Sequence, residues 1–224
     1  MTPLDPRHTA RLLCLLGGRR RCLLGLVGAP GSGKSTLARV LQAACPEPSV
    51  VVPMDGFHLA NSELQRLGRS GRKGAPDTFD SAGYLALLRR LRAANNVDAG
   101  AGADADADEQ PVYAPDYRRG LEEAVAGAIA VPASIRLVIT EGNYLLLQDG
   151  PWAGVRGQLD EVWYVDVDPA LRRQRLLARH VRHGRSPEQA LAWIAATDEP
   201  NAVRIAACRP RADWLIDWNG ELPA

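Results

Sequence analysis

Short apolar runs alternate with amphipathic stretches along most of the chain. Runs of strand length occur at residues 22–27, 50–53, 135–140, 161–167 and 214–218. Apolar side chains recur every three or four residues, as in helices, at residues 37–44, 80–92, 171–183, 187–196 and 201–208. Strands that alternate with helices favour a mainly parallel sheet covered on both faces. The pattern therefore predicts an α/β protein with three layers, α/β/α.

The remaining stretches predict connections and edges of a single domain over residues 1–224. Residues 12–16 are apolar but too short to cross a membrane, so residues 1–21 predict a covering helical extension. Residues 59–79 are polar and rich in glycine, which favours a substrate loop. A short helix is expected after residues 111–119. The acidic Ala/Gly/Asp tract at 95–110 is typical of a flexible loop.

The segment between the first strand and the first long helix fits the phosphate-binding pattern GxxxxGK[ST]. Glycines in such a loop let backbone N–H groups point at an anion, and the next helix adds its positive N-terminal end. Lys34 is expected on the β- and γ-phosphates and Ser35 on Mg²⁺. The expected nucleotide-binding residues are Gly28, Ala29, Pro30, Gly31, Ser32, Gly33, Lys34, Ser35 and Thr36.

Composition narrows the class of protein further. The formal net charge is +1, which argues against a nucleic-acid or membrane partner. Four cysteines lack metal-like spacing and fit a reducing compartment, so a cytoplasmic protein is expected. Among the 27 basic residues only Lys34 and Lys73 are lysines. Lys73 is either a site residue or an ordinary surface residue; composition leaves both open.

Two carboxylates follow apolar strands, where ligands bind in open α/β sheets. Asp55 is the candidate general base for a substrate hydroxyl, with a loop-bracing aspartate as the alternative. Glu141 occupies the place of an acid that supports Mg²⁺, unless it only caps the next turn. His58 lies within reach of the same pocket, although a lone histidine is more often structural.

The segment 171–186 predicts an arginine-rich lid. Arg172, Arg175, Arg179 and Arg182 share one helical face, and the segment holds no acid. Unpaired like charges repel, so this face fits closure over a polyphosphate. A solvated face and an RNA-binding patch are the alternatives. The chain lacks both the [NT]KxD motif of Ras-like GTPases and the LSGGQ signature of transport ATPases.

Together the motifs GAPGSGKST, PMDGFHLAN, RKGAPDTFD, EGNYLLL and DEPNA resemble those of the P-loop kinase group of phosphoribulokinase, uridine kinase and type I pantothenate kinase. The chain is most similar to the branch named as fructose-transport-system kinases. The resemblance implies a P-loop NTPase fold, Asp55 as catalytic base, and Arg175 and Arg179 in the lid. It also implies acceptor contacts by Asp77, Phe79 and the aromatic Tyr113.

These observations predict an ATP- and Mg²⁺-dependent kinase that phosphorylates a hydroxyl of a sugar, nucleoside or pantothenate-like acceptor. In this prediction Asp55, Lys34, Arg175 and Arg179 are catalytic, and His58, Lys73 and Glu141 contact the acceptor. The alternative is a nucleotide-dependent regulatory switch that hydrolyses ATP slowly and acts on a partner protein. A homodimer is left open, because sequence does not fix oligomeric state.

Overall fold

In a computed structural model of the protein, residues 4–18, 21–94 and 110–219 are described. Within these residues five strands form one parallel sheet with the order β2-β5-β1-β6-β7. The strands are β1 (Cys22–Val27), β2 (Ser49–Pro53), β5 (Leu137–Gly142), β6 (Glu161–Asp166) and β7 (Trp214–Asp217). The parallel sheet expected from the alternating pattern is confirmed.

Helices connect the strands and cover the sheet. They are α1 (Pro6–Leu16), α2 (Lys34–Ala44), α3 (Asn61–Arg66), α4 (Ser81–Ala93), α5 (Pro169–Arg182), α6 (Pro187–Trp193) and α7 (Glu199–Ala206). A π-helical turn, Ile194–Asp198, joins α6 to α7. Within the described ranges no helix combines the length and apolarity needed to cross a membrane. The predicted loop at 95–110 lies outside the described residues, apart from Gln110.

The core lies on both faces of the central strand, because alternate side chains of β1 point in opposite directions. Leu24 and Leu26 pack with the apolar faces of α1 and α2. Leu23 and Val27 pack with α4 and the segment after β5. All four side chains are almost completely buried, so the sheet is covered on both sides as a parallel sheet requires.

Residues 112–131 form a hairpin rather than the expected short helix after residue 119. β3 (Val112–Arg118) pairs antiparallel with β4 (Glu123–Val131). Alanine is frequent in β4 and is compatible with a helix, but ladder pairing with β3 decides the conformation. The prediction of a helix here was wrong, and the hairpin proves important because it forms one wall of the candidate site.

Candidate functional site

The phosphate-binding loop connects β1 to α2 in the expected strand–loop–helix context. Gly31 and Gly33 have φ angles of 83° and 88°, which only glycine adopts readily. A Cβ at Gly31 would lie 2.8 Å from Cγ of Leu176 and 2.9 Å from the carbonyl oxygen of Arg172. The loop therefore bends as a phosphate cradle requires and packs directly against α5.

Lys34 is the first residue of α2, and its ammonium group is buried beneath the loop. Its Nζ donates hydrogen bonds to the carbonyl oxygens of Gly28, at 2.9 Å, and Ala29, at 3.2 Å. Burial lowers the pKa of Lys34 to about 8, although Glu141 and Asp55 nearby partly oppose that effect. A buried cation without a full counter-charge is suited to an incoming phosphate.

Ser35 and Glu141 form a pair across the sheet edge. The Ser35 Oγ donates to Oε1 of Glu141 at 2.8 Å. Burial and the neighbouring Asp55 raise the pKa of Glu141, while Lys34 and the Ser35 hydrogen bond oppose the increase. A hydroxyl and a carboxylate are the hard oxygen donors that Mg²⁺ prefers, so the pair fits the predicted metal site.

Asp55 lies in the short 3₁₀ turn Met54–Phe57 that directly follows β2. The next residue must be small, because a Cβ on Gly56 would lie 2.4 Å from the carbonyl oxygen of Pro115 in β3. His58 braces the turn, with its Nδ1 2.9 Å from the Asp55 carbonyl oxygen. Burial lowers the pKa of His58, which favours a neutral, structural ring.

A cavity of about 350 Å³ opens between this sheet edge and the hairpin. Its sheet side carries Ser35, Asp55 and Glu141, so three of the predicted site residues meet there. The other polar side chains on its wall are Arg39 of α2 and Asp116, Tyr117 and Arg119 of the hairpin. The cavity thus lies between the sheet edge beside the phosphate loop and the hairpin, and α2 contributes both Ser35 and Arg39 to its lining.

The lid arginines divide into different roles. Arg172 donates to the Pro30 carbonyl at 3.3 Å and pairs with Glu199 at 2.7 Å. Arg175 donates to the Trp218 carbonyl at 3.3 Å and does not line the cavity. The expectation of an unpaired stripe was therefore wrong for Arg172, because α7 supplies an acid that is distant in sequence.

Arg179 differs from these neighbours. Among the described residues it has no hydrogen-bond or ion-pair partner. Burial lowers its pKa, and the charges that act on it belong to Asp198, Arg119, Asp55 and Glu141. Arg179 is therefore the arginine of α5 that lies near Asp55 and Glu141 electrostatically, although it does not line the cavity.

Three residues expected at the acceptor lie elsewhere. Tyr113 is 53% exposed and is absent from the cavity wall. Phe79 is buried in the core, with its ring 4.0 Å from that of His58. The Asp77 carboxylate pairs with Arg72 at 2.6 Å near the surface. In this structure these side chains support the loop around the site rather than line its cavity.

Lys73 ties the predicted substrate loop to the hairpin. Its Nζ donates to Oδ1 of Asn61 at 2.7 Å and to the carbonyl oxygen of Glu122 at 2.8 Å. The same ammonium lies 5.2 Å from the ring centre of Tyr117, within cation–π range. Lys73 therefore braces the wall that carries Tyr117, although it does not line the cavity itself.

The sequence prediction missed Arg39, Tyr117 and Arg119. Arg39 had a usable signal, because it follows Ser35 by four residues and therefore shares its helix face. Tyr117 and Arg119 had none without the hairpin, since their position at the site depends on how β3 packs against the Asp55 turn.

Comparisons with known proteins agree with this geometry. No family model matches the chain. A Schizosaccharomyces pombe protein provisionally named uridine kinase C227.14 is 31% identical over 204 residues, which cover 87% of this chain and 81% of that protein. The Escherichia coli protein YggC, of uncharacterized function, is 32% identical over 219 residues, covering 96% and 85%.

A solved structure gives the same result. It is that of a provisionally named fructose transport system kinase from Silicibacter sp. TM1040, with a TM-score of 0.80 and 34% identity. The match covers 96% of this chain and 100% of the other. The fold, the phosphate loop and these relatives show that the chain belongs to the P-loop kinase group that contains the uridine kinase-like proteins.

Proposed function

We propose that the protein transfers the γ-phosphoryl group of ATP, bound with Mg²⁺, to a hydroxyl group of a small molecule. The observation that carries the proposal is the shared cavity wall of Asp55, Ser35 and Glu141, directly beside Lys34. A base, oxygen donors for a metal and a phosphate-binding cation are the parts that phosphoryl transfer needs.

Each part has a defined role in the proposal. The loop amides and Lys34 hold the β- and γ-phosphates, and Ser35 with Glu141 would hold Mg²⁺, which neutralises phosphate charge when bound. Asp55 takes the proton of the acceptor hydroxyl while the hydroxyl oxygen bonds to the γ-phosphorus. The bond between that phosphorus and the bridging oxygen breaks, and ADP leaves. Arg179 stabilises the charge on the transferring group.

The variant Asp55→Asn tests the base. It keeps the size of the side chain and should retain ATP binding, measured as nucleotide-dependent thermal stabilisation, while turnover falls by about 10²–10⁴. Asp149→Asn is a matched control, because Asp149 is an exposed partner of Arg204 and is not part of the cavity lining. Normal turnover by Asp55→Asn would refute the role of Asp55.

Acceptor dependence separates a kinase from a nucleotide-driven switch. ADP release is measured with Mg²⁺ and ATP, alone and with nucleosides, pantothenate, ketoses or glycerate. A kinase releases ADP faster with one acceptor class, and the phosphorylated product accumulates in equal amount. Slow release that no acceptor changes would favour the regulatory switch instead.

A further inference from the structure

The cavity lining contains two arginines that form no ion pair with any described residue. Arg39 and Arg119 both line the cavity, and neither has a hydrogen-bond or ion-pair partner within the described part of the chain. Arg39 lies in α2, and Arg119 lies in the turn that follows β3. Several other arginines of the chain are paired, as Arg156 is with Asp213 at 2.7 Å.

The acids on the cavity wall do not neutralise these two cations. Asp116 is engaged by Arg118 at 3.5 Å. Glu141 is bonded to Ser35, and the charges of Lys34 and Arg119 both act on it without an ion pair to either arginine. The guanidinium groups of Arg39 and Arg119 therefore line the cavity with hydrogen-bond donors that no described residue uses.

The remaining polar group of the cavity lining, the Tyr117 hydroxyl, carries no negative charge that would repel an anion. Tyr117 donates its hydroxyl to Oε2 of Glu122 at 2.9 Å. Burial and Glu122 raise the pKa of Tyr117 above its ordinary value, so the phenol stays neutral. Its ring provides an uncharged part of the cavity lining, with its centroid 4.9 Å from that of His58.

We propose that the phosphoryl acceptor is itself an anion, a small hydroxyl compound that carries a carboxylate or a phosphate. Its anionic group binds Arg119 and Arg39 while its hydroxyl lies at Asp55. Planar guanidinium groups bind carboxylate and phosphate oxygens through two parallel hydrogen bonds, which suits this assignment. The inference rests on the proposed kinase function and specifies the class of its substrate.

Matched acceptor pairs test the inference on the whole protein. Each pair shares a hydroxyl-bearing skeleton and differs in its anionic group: glycerate and glycerol, pantothenate and panthenol, fructose 6-phosphate and fructose. We expect an anionic member to exceed its neutral partner in kcat/KM by about 10- to 100-fold, the effect of a hydrogen bond to a charged group. The first two pairs test a carboxylate and the third a phosphate.

Variants then assign the preference to the two arginines. Arg119→Gln and Arg39→Gln should each raise the KM for the anionic acceptor about 10-fold or more, leave the KM for ATP unchanged, and bring the paired acceptors closer together. Arg90→Gln is the control, because Arg90 is an exposed arginine of α4 outside the cavity lining. It should leave the preference intact.

The outcomes separate this inference from the proposed function. If neutral and anionic partners react equally well, the kinase stands and the inference is overturned. It is also overturned if the double arginine variant keeps the anion preference, or if Arg119→Gln raises the KM for ATP as much as that for the acceptor. If no compound in the pairs stimulates ADP release but a nucleoside does, the kinase stands and the inference is overturned. If no acceptor in either set stimulates ADP release, the proposed kinase function fails and the inference fails with it.

Discussion

Replacing Lys34 with methionine should stabilise the protein in the absence of nucleotide while abolishing its response to ATP. Lys34 is only 8% exposed, and its burial lowers the pKa from 10.5 to about 8. At pH 7 the folded protein therefore holds a charge in a place that disfavours it. Methionine has a similar length, fills the same space and carries no charge.

The magnitude follows from the pKa and the lost hydrogen bonds. A pKa of about 8 instead of 10.5 means that the charged Lys34 costs about 3 kcal/mol of folding free energy. Methionine removes that cost but leaves the carbonyls of Gly28 and Ala29 without their donor, a loss of about 1–2 kcal/mol. The net gain is about 1–2 kcal/mol, or about 2–8 °C in Tm for a chain of this length.

The direction of the Lys34 pKa shift determines how the stability difference between the two proteins changes with pH. Between about pH 8 and 10.5 the unfolded chain keeps the Lys34 proton that the folded protein has lost, so the wild type gains stability as pH rises. Below about pH 8 the free-energy cost of burying the charged Lys34 is fully present. The advantage of Lys34→Met should therefore be largest at pH 7 and shrink steadily toward pH 10, where the missing hydrogen bonds make the variant the less stable protein.

Urea denaturation followed by tryptophan fluorescence at pH 7, 8, 9 and 10 measures the free energy of unfolding for both proteins. Groups that do not interact with Lys34 titrate equally in the two proteins and cancel in the difference. Lys73→Met is the matched control, since Lys73 makes its hydrogen bonds near the surface and its loss should lower stability. A Lys34→Met protein less stable than wild type at pH 7, or a difference independent of pH, would refute the reasoning.

Three further changes test the scaffold and the lid. Gly56→Ala places a Cβ 2.4 Å from the Pro115 carbonyl oxygen and should displace the hairpin. We expect the KM for the acceptor to rise more than the KM for ATP, and the free energy of unfolding in urea to fall by about 1–3 kcal/mol. Tyr84→Phe removes a buried 2.6 Å hydrogen bond to a threonine of β5 and should cost about 1 kcal/mol by the same measurement. Arg179→Gln should lower kcat by about 10²-fold or more, whereas Arg175→Gln should have little effect on kcat; equal kcat values would contradict the assignment of Arg179.

The sheet and the donor half of the site were predictable because their signals are local. Each strand is a continuous apolar run, and the phosphate loop lies between a strand and a helix within residues 22–44. The positions of Asp55 and Glu141 were predictable as well, because parallel strands end at one edge of the sheet. Their meeting with Ser35 at one cavity required no information beyond the motif order.

The acceptor half was not predictable because it depends on contacts between distant segments. β4, Glu123–Val131, has alanine at every second position and no apolar/polar alternation, and alanine favours helices, so its strand conformation comes from pairing with β3. The hairpin then reaches the site only where Gly56 lets Pro115 approach the turn. That contact brings Tyr117 and Arg119 into the cavity lining, and no local sequence pattern around them predicts it.

The arginines on one face of α5 have different partners in the folded protein, although the helical pattern of the sequence does not distinguish them. Arg172 and Arg179 are two turns apart on α5, so they lie on the same line along its surface. Glu199 pairs with Arg172 and fixes that end of the line against the Pro30 carbonyl of the phosphate loop. Arg179, without such a partner among the described residues, is under the charges of Asp198, Arg119, Asp55 and Glu141. In the proposed mechanism, Arg172 anchors α5 at the phosphate loop, and the helix then fixes how far Arg179 lies from that loop, because a helix is rigid over two turns.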